Sequence, residues 1–274
     1  MINDKHSGLT LIEILVVLFF MGLFLSMTSR LLTGVDNQKR FDETRKRMMK
    51  IRKAILGPPG AYVNGVRQFM GYASDMGGLP ELNRDGQPEA LWKQGDLPQW
   101  EYKGNSKSWM GWRGPYIEKP FDNVLKDGWG NPFKFIKGPS TSEGLEDGDM
   151  KIKSLGADGK EGGTGYDRDI ELIIRETDYM GAVAGHINLA DGNNKNVRIE
   201  IFYPSSGTET SEVIEGVDEE GYFRFEKGAT GAGEKDLNIP MGVRRLVVKA
   251  SGMEKELVFC VEPTGNWLGT LKLK

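Results

Sequence analysis

The sequence predicts an α+β chain, with its long helix first and most of its strands last. Three observations point that way. An apolar run over residues 9–27 continues into a three- and four-residue spacing of Phe41, Thr44, Met48, Ile51 and Ile55, the period of one helix face. A turn-rich, tryptophan-rich region follows, with a short strand pattern at 133–136. From Gly181 onward, about seven short alternating segments separated by turn signals have the spacing of a β-sandwich.

With 274 residues, two domains are expected. The segments read as a leader at 1–8, a helix at 9–56, a first globular domain at 57–178 and a β-sandwich at 179–274. The net charge of −3 and pI of about 5.7 give no reason to expect a nucleic-acid partner. Cys260 is the only cysteine, which excludes an intrachain disulfide. It reads as a small buried hydrophobe on a strand rather than a reactive thiol.

The N-terminus carries the most specific signal. A short polar leader ends at Gly8, and from Leu9 to Met27 the only strongly polar side chain is Glu13. The run is long enough to cross a bilayer as a helix, which takes roughly 17–25 residues. A carboxylate there costs on the order of 3 kcal/mol and is functional or paired by default. Cleavage between Gly8 and Leu9 would create an α-amino group near Glu13, a cation for the carboxylate of a neighbouring copy. A secretory signal peptide would put its small residue after the apolar core and leave the core uncharged. A plain signal anchor has no use for Glu13.

The helix is expected to continue to Leu56 and to stop at Gly57-Pro58-Pro59-Gly60, with Gly34 a point where it could bend. Its basic face, from Lys39 to Arg52, reads as solvated or facing neighbouring subunits. Lys and Arg flank the apolar run on both sides, so charge does not fix an orientation. Residues 61–74, with Val63, Val66, Phe69, Met70 and Ala73, have the spacing of a short helix. Five of the six tryptophans cluster at Trp92, Trp100, Trp109, Trp112 and Trp129, and read as rings capping a small core and pinning loops.

Residues 152–170 are rich in glycine and bring Asp158, Asp167 and Asp169 within twelve residues. Calcium takes six to eight oxygens, which such a loop can supply. It is not an EF-hand, because Lys160 and Asp169 would fill its third and twelfth positions. Composition alone favours a solvated Gly/Asp loop over a metal site. Residues 171–179 read as an exit segment. Strands follow at 183–187, 197–203 (ending at Pro204), 211–217, 222–225, 245–250, 256–262 and 268–273. His6, His186 and Cys260 are not linked by any motif, and there is no phosphate loop or zinc spacing. No enzyme is predicted.

Two family resemblances add to this reading. Gly8-Leu9-Thr10-Leu11-Ile12-Glu13 resembles the class III signal of type IV pilins and type II secretion pseudopilins, apart from Leu9, where Phe or Met is usual. The resemblance implies that a prepilin peptidase cuts after Gly8 and methylates the new terminus at Leu9, and that Glu13 is the assembly residue. The pairing of Asp-Gly-Trp-Gly-Asn-Pro-Phe (127–133) with Ser-Leu-Gly-Ala-Asp-Gly-Lys-Glu-Gly-Gly (154–163) is similar to the major pseudopilin of type II secretion. That likeness implies a half-transmembrane helix packed on a small antiparallel sheet. It also implies one structural calcium held by the Leu155 carbonyl with Asp158, Asp167 and Asp169. It covers residues 7–174, and the chain then runs on for about a hundred more. The tail segments Gly181-Ala182-Val183-Ala184-Gly185-His186-Ile187, Glu220-Gly221-Tyr222-Phe223-Arg224-Phe225 and Ile239-Pro240-Met241-Gly242 resemble carboxypeptidase-regulatory or transthyretin-like sandwiches.

The function these resemblances imply is that of a structural subunit of a type II secretion pseudopilus. It would be a single-pass inner-membrane protein with its bulk in the periplasm. It would be drawn into a filament with other pseudopilins by an inner-membrane secretion platform. The alternative is a minor type IV pilin carrying the sandwich as an adhesin or binding module.

Overall fold

The computed structural model describes residues 11–60, 62–63, 66–67, 71–189 and 196–273, with the side chains of 24–33, 62–63 and 66–67 outside the description. The first element is α1, Leu11–Leu56, a single helix of 46 residues that continues through Gly34 without interruption. Its last turn carries Lys53, a cation suited to the negative end of the helix dipole.

Residues 61–74 do not form the expected helix. Two short strands pair antiparallel there, β1 (Tyr62–Val63) and β2 (Val66–Arg67), with Val63 opposite Val66. The intervening sequence Asn64-Gly65 is a strong hairpin signal, and it overrides a helical spacing built largely on β-branched valines. Helix appears only in α2 (Tyr72–Met76). Gly71, at its start, lies so close to the end of α1 that a Cβ would come 2.3 Å from the Gly57 nitrogen.

Next come a hairpin of β3 (Glu101–Lys103) and β4 (Ser108–Met110), then a three-stranded antiparallel sheet. Its strands are β5 (Lys134–Lys137), β6 (Met150–Ser154) and β7 (Ile170–Ile174), in the order β5-β6-β7. The expected exit segment is thus partly the third strand, because Ile170, Leu172 and Ile174 alternate against β6. One core joins Met48, Ile51 and Ile55 of α1 to Phe135, Met150, Ile152 and Ile174 of this sheet. Trp92 is buried in this core and Trp112 packs against it, whereas Trp109 is half exposed and stacks on Trp100.

The C-terminal part is built from β8 (Met180–Gly181), β9 (Val183–Leu189), β10 (Arg198–Ser205), β11 (Thr208–Glu215), β12 (Tyr222–Phe225), β13 (Glu234–Lys235), β14 (Ile239–Pro240), β15 (Gly242–Ala250), β16 (Met253–Val261) and β17 (Asn266–Leu273). Two four-stranded sheets, β11-β10-β15-β16 and β13-β12-β9-β17, enclose a second core. Ile199, Ile201, Leu246 and Val248 enter it from one sheet, and Val183, Ile187, Phe223 and Phe225 from the other. Strand β10 runs past Pro204, the expected stop. Beyond Phe202 it pairs only with β11, so a residue without an N–H is tolerated there.

Candidate functional site: an assembly helix and the loops docked on it

Among the described residues nothing covers the first turns of α1, 11–21. Leu11 is 84% exposed, and Ile12, Ile14, Leu15, Val17, Leu18, Phe19, Phe20 and Met21 all face outward as well. A helix apolar all round is stable only against lipid or other protein. Glu13 is exposed in the first turn of α1. Gly8 and Leu9 lie outside the described residues. Among the described residues no helix is long and apolar enough to cross a membrane; residues 24–33 continue the backbone of α1 with their side chains outside the description.

The second half of α1 is a docking rail. Asp127 is fully buried and organises the turn that follows it. Its Oδ1 accepts the N–H groups of Trp129 and Asn131, each at 2.9 Å, and its Oδ2 accepts the Ser154 hydroxyl of β6 at 2.6 Å. The turn sits against the helix. Thr44 Oγ1 donates to the Arg40 carbonyl at 2.8 Å and accepts the Gly128 N–H at 2.9 Å. A Cβ on Gly128 would come 2.1 Å from the Arg40 oxygen, so only glycine allows this approach. Arg47 donates to the carbonyls of Lys126 and Asp127, and the Trp129 indole donates to Asn37.

The Gly/Asp loop continues from this turn. Asn131 Nδ2 donates to the Gly156 carbonyl at 2.8 Å, and the Tyr166 hydroxyl donates to Gln38 of α1 at 3.1 Å. Gly156 and Gly163, both at positive φ, lie close around the Asp167 carbonyl, where a Cβ would clash at 2.6 and 2.5 Å. The four residues implied as calcium ligands occupy this one loop. Asp169 is tied down by the Gly162 N–H at 3.0 Å and the Lys153 ammonium at 3.1 Å through its Oδ2, while its Oδ1 is buried with no hydrogen-bond partner. Asp158 receives the Lys160 N–H at 3.0 Å, and Asp167 lies exposed. An orphan carboxylate oxygen in a loop that also carries two further acids and the Leu155 carbonyl is of the donor type an oxygen-seeking cation takes. The carboxylates are not drawn together, and among the described residues no three acidic, His or Cys side chains gather closely enough to hold a metal ion.

A seam joins the two cores, and its central residue carries no sequence signal. Arg244 on β15 is 1% exposed. Its guanidinium donates to the carbonyls of Pro240 at 3.0 Å and Val243 at 2.8 Å, and across the seam to Ser74 of α2 at 3.1 Å. Burial lowers its pKa to about 9, which leaves it charged at neutral pH. Nearby, Asp75 is buried against Arg113 at 3.0 Å and the Tyr116 hydroxyl at 3.0 Å. Desolvation raises its carboxyl to about 6, against the opposing pull of Arg113, Tyr116, Ser74 and Arg244. Gly77, at φ +82, lets the Pro204 carbonyl come where a Cβ would be 1.9 Å away. Two backbone bonds also cross the seam, from Gly207 N–H to Met76 and from Met241 N–H to Tyr179, each 2.8 Å, and Glu256 pairs with Lys107 at 2.7 Å.

His186 and Cys260 are half-buried, on β9 and β16, and the buried Nδ1 of His186 has no hydrogen-bond partner.

Against this geometry, residues 75–173 match the family model described as type II secretion system (T2SS), protein G. That span runs from α2 to β7. The chain is also similar to the type II secretion system core protein G of Pseudomonas aeruginosa, at 29% identity over 166 residues, which is 61% of this chain and 94% of that protein. These two matches support a type II secretion pseudopilin subunit of the protein G kind. Among solved structures, a 9R-lipoxygenase from Cyanothece shares 16% identity and a TM-score of 0.17 over 35% of this chain and 17% of that one. So slight a likeness carries no argument.

Proposed function

We propose that the chain is a structural subunit of a type II secretion pseudopilus that carries an additional β-sandwich. One observation carries the reading. The α2-to-β7 body that matches protein G is docked on the second half of a helix whose first half is apolar and exposed. Such a helix suits a subunit that waits in the bacterial inner membrane with its bulk in the periplasm and is then drawn into a filament.

In this reading a prepilin peptidase cuts after Gly8 and methylates the new terminus at Leu9. The apolar helices of successive copies bundle as the filament core. Glu13 meets the terminal amine of a neighbour, which sets the register, because a charge in a low-dielectric core is tolerable only when paired. Filament growth, driven from the inner-membrane platform, moves secreted cargo. The work is mechanical and no reaction is catalysed. The additional sandwich favours a second reading, a minor type IV pilin with the sandwich as a binding module. Its outer sheet presents a stacked Tyr222–Trp267 pair, with Trp267 largely exposed.

The test is to express Gly8→Ala and Glu13→Ala in the native host and follow processing, filaments and secretion. Gly8→Ala should stay uncut, and Glu13→Ala should be cut yet assemble poorly. Normal filaments from both variants would overturn the proposal. Secretion unaffected by loss of the chain, with surface fibres lost, would favour the pilin.

A structural calcium belongs to the same proposal, held by Asp158, Asp167, Asp169 and the Leu155 carbonyl. It would supply a divalent charge that gathers the loop against α1. Chelation should then lower the melting temperature of the soluble part, by about 2.7 kcal/mol of linkage at a hundredfold excess of calcium over its Kd. An unchanged melting curve, with no calcium heat by titration calorimetry, would return the loop to a solvated turn.

A further inference from the structure

A cleft of about 470 Å³ opens where the two bodies meet. Ligand pockets have this size and favour such junctions. One wall is the end of α2 with Gly78 and Leu79, and another is Ser205 and Ser206, where β10 turns into β11. Without the sandwich the cleft would lose that second wall. Its floor is Tyr72, Met76 and Tyr179, all buried.

The floor keeps a donor that its own fold does not use. Tyr72 is 4% exposed, and its ring stands edge-on against Tyr116. The hydroxyls of Tyr116 and Tyr179 donate to Asp75 and to the Gly148 carbonyl. The Tyr72 hydroxyl has no hydrogen-bond partner among the described residues. Burial, with the charge of Glu81 at the rim, pushes its pKa up to about 12, so it keeps its proton. The main-chain N–H groups of Gly78 and Leu79 have no partner among the described residues either. A nearly buried donor without an acceptor is rare enough to need a reason. Three donors along one wall call for a row of acceptors, which the carbonyls of a peptide supply.

The charge around the cleft selects among peptides. Glu81, Glu89, Asp147 and Asp149 line it, against Lys93 and Lys137. Lys137 is taken by Glu81 at 2.6 Å and Lys93 by Glu89 at 2.8 Å, while Asp149 is held by Arg175 at 3.0 Å. Asp147 is exposed and makes no ion pair among the described residues. The lining therefore has a surplus of negative charge above aromatic and apolar side chains.

We propose that this cleft binds a short segment of another polypeptide, with an apolar side chain on the tyrosine floor, a basic side chain toward Asp147, and main-chain carbonyls on the Tyr72 hydroxyl and the Gly78 and Leu79 amides. The site does not depend on the filament reading. It gives the added sandwich a task at its junction with the first body.

The experiment uses the full chain in a non-ionic detergent and follows fluorescence anisotropy. The probes are a blocked seven-residue peptide of leucine, lysine and glycine, the same peptide with glutamate for lysine, and a chitin hexasaccharide. The lysine peptide should bind saturably and the other two should not. Tyr72→Phe should weaken it about fivefold, the worth of one hydrogen bond. Asp147→Asn should weaken it roughly threefold and flatten its salt dependence. Gly78 has nothing within 4 Å of the place for a Cβ, so Gly78→Leu should fold normally and cut binding roughly tenfold or more by filling the cleft. No binding of the lysine peptide, or equal binding by all three variants, would overturn the proposal. Preference for the glutamate peptide or the saccharide would overturn the ligand class. Tyr72→Phe should also leave the melting temperature unchanged. A lowered value would assign the hydroxyl to the fold and overturn its role as a free donor.

Discussion

The helix-and-sheet body encloses its core mostly with loops, whereas the sandwich encloses its own with paired strands. Between Met76 and Lys134 the first body has only two strands of three residues each and one 3₁₀ turn. Its order comes instead from buried side chains that bond backbone, such as Asp127 on the Trp129 and Asn131 amides and Gln87 on the Phe133 carbonyl. It also borrows Met48, Ile51 and Ile55 from α1, so it cannot close its core without the helix proposed for assembly. The sandwich core, by contrast, is supplied entirely by residues after Gly181. The body that matches protein G is therefore tied to the helix, and the additional body closes its own core and meets the first body through polar contacts at its surface.

That contrast can be broken most directly at the seam. Arg244→Leu removes the donors to the Ser74, Pro240 and Val243 carbonyls and leaves buried acceptors unsatisfied, a loss of about 3–5 kcal/mol. Calorimetry should then show two separated transitions, one for each body. A single unshifted transition would mean that Arg244 does not carry the coupling between them. A smaller effect, on the order of 2–3 kcal/mol, concerns Asp75 and is read as a slope against pH. Because the folded chain holds the Asp75 proton up to about pH 6, its contribution is full below the ordinary carboxylate range and is lost as pH rises through 6. Asp75→Asn should flatten the stability profile between about pH 4 and 6; an unchanged slope would place the titration elsewhere. Smallest is Thr44→Val, which keeps shape but strips the acceptor from the Gly128 N–H, at about 1–2 kcal/mol. Fluorescence of Trp129, against the rail, should register it; no change in that signal or in stability would mean that the Gly128 N–H does not depend on this acceptor.

Legibility followed the same division. The sandwich strands were readable because each alternates under a period of two between glycine turns, and 222–225 matches its expected bounds. Helix α1 was readable from its period and from the proline pair that ends it. The strands at 62–63 and 66–67 differ from the expected helix because Val63, Val66 and Phe69 also fit a helical spacing, against which Asn64-Gly65 is the stronger signal. Residues 170–174 form a strand rather than an exit segment, because Glu171 and the charged residues after 174 hide an alternation that only β6 completes. The partners of β6 account for its own charges, since Lys151 and Lys153 are buried yet paired with Glu143, Glu171 and Asp169. Arg244 could not be found at all. An arginine in an alternating strand reads as an outward-facing residue, and its burial is decided by a helix 170 positions away in sequence.

The close approach of Gly77 to Pro204 has a consequence for any polymer of this chain. With a bare α-carbon on one side and a ring-locked peptide on the other, the added domain is bolted on at a set angle instead of swinging from a tether. Repeated along a fibre, it would form a regular spiral of outriggers whose pitch is dictated by the stacked helices beneath, so whatever those outriggers touch would be met at evenly spaced intervals.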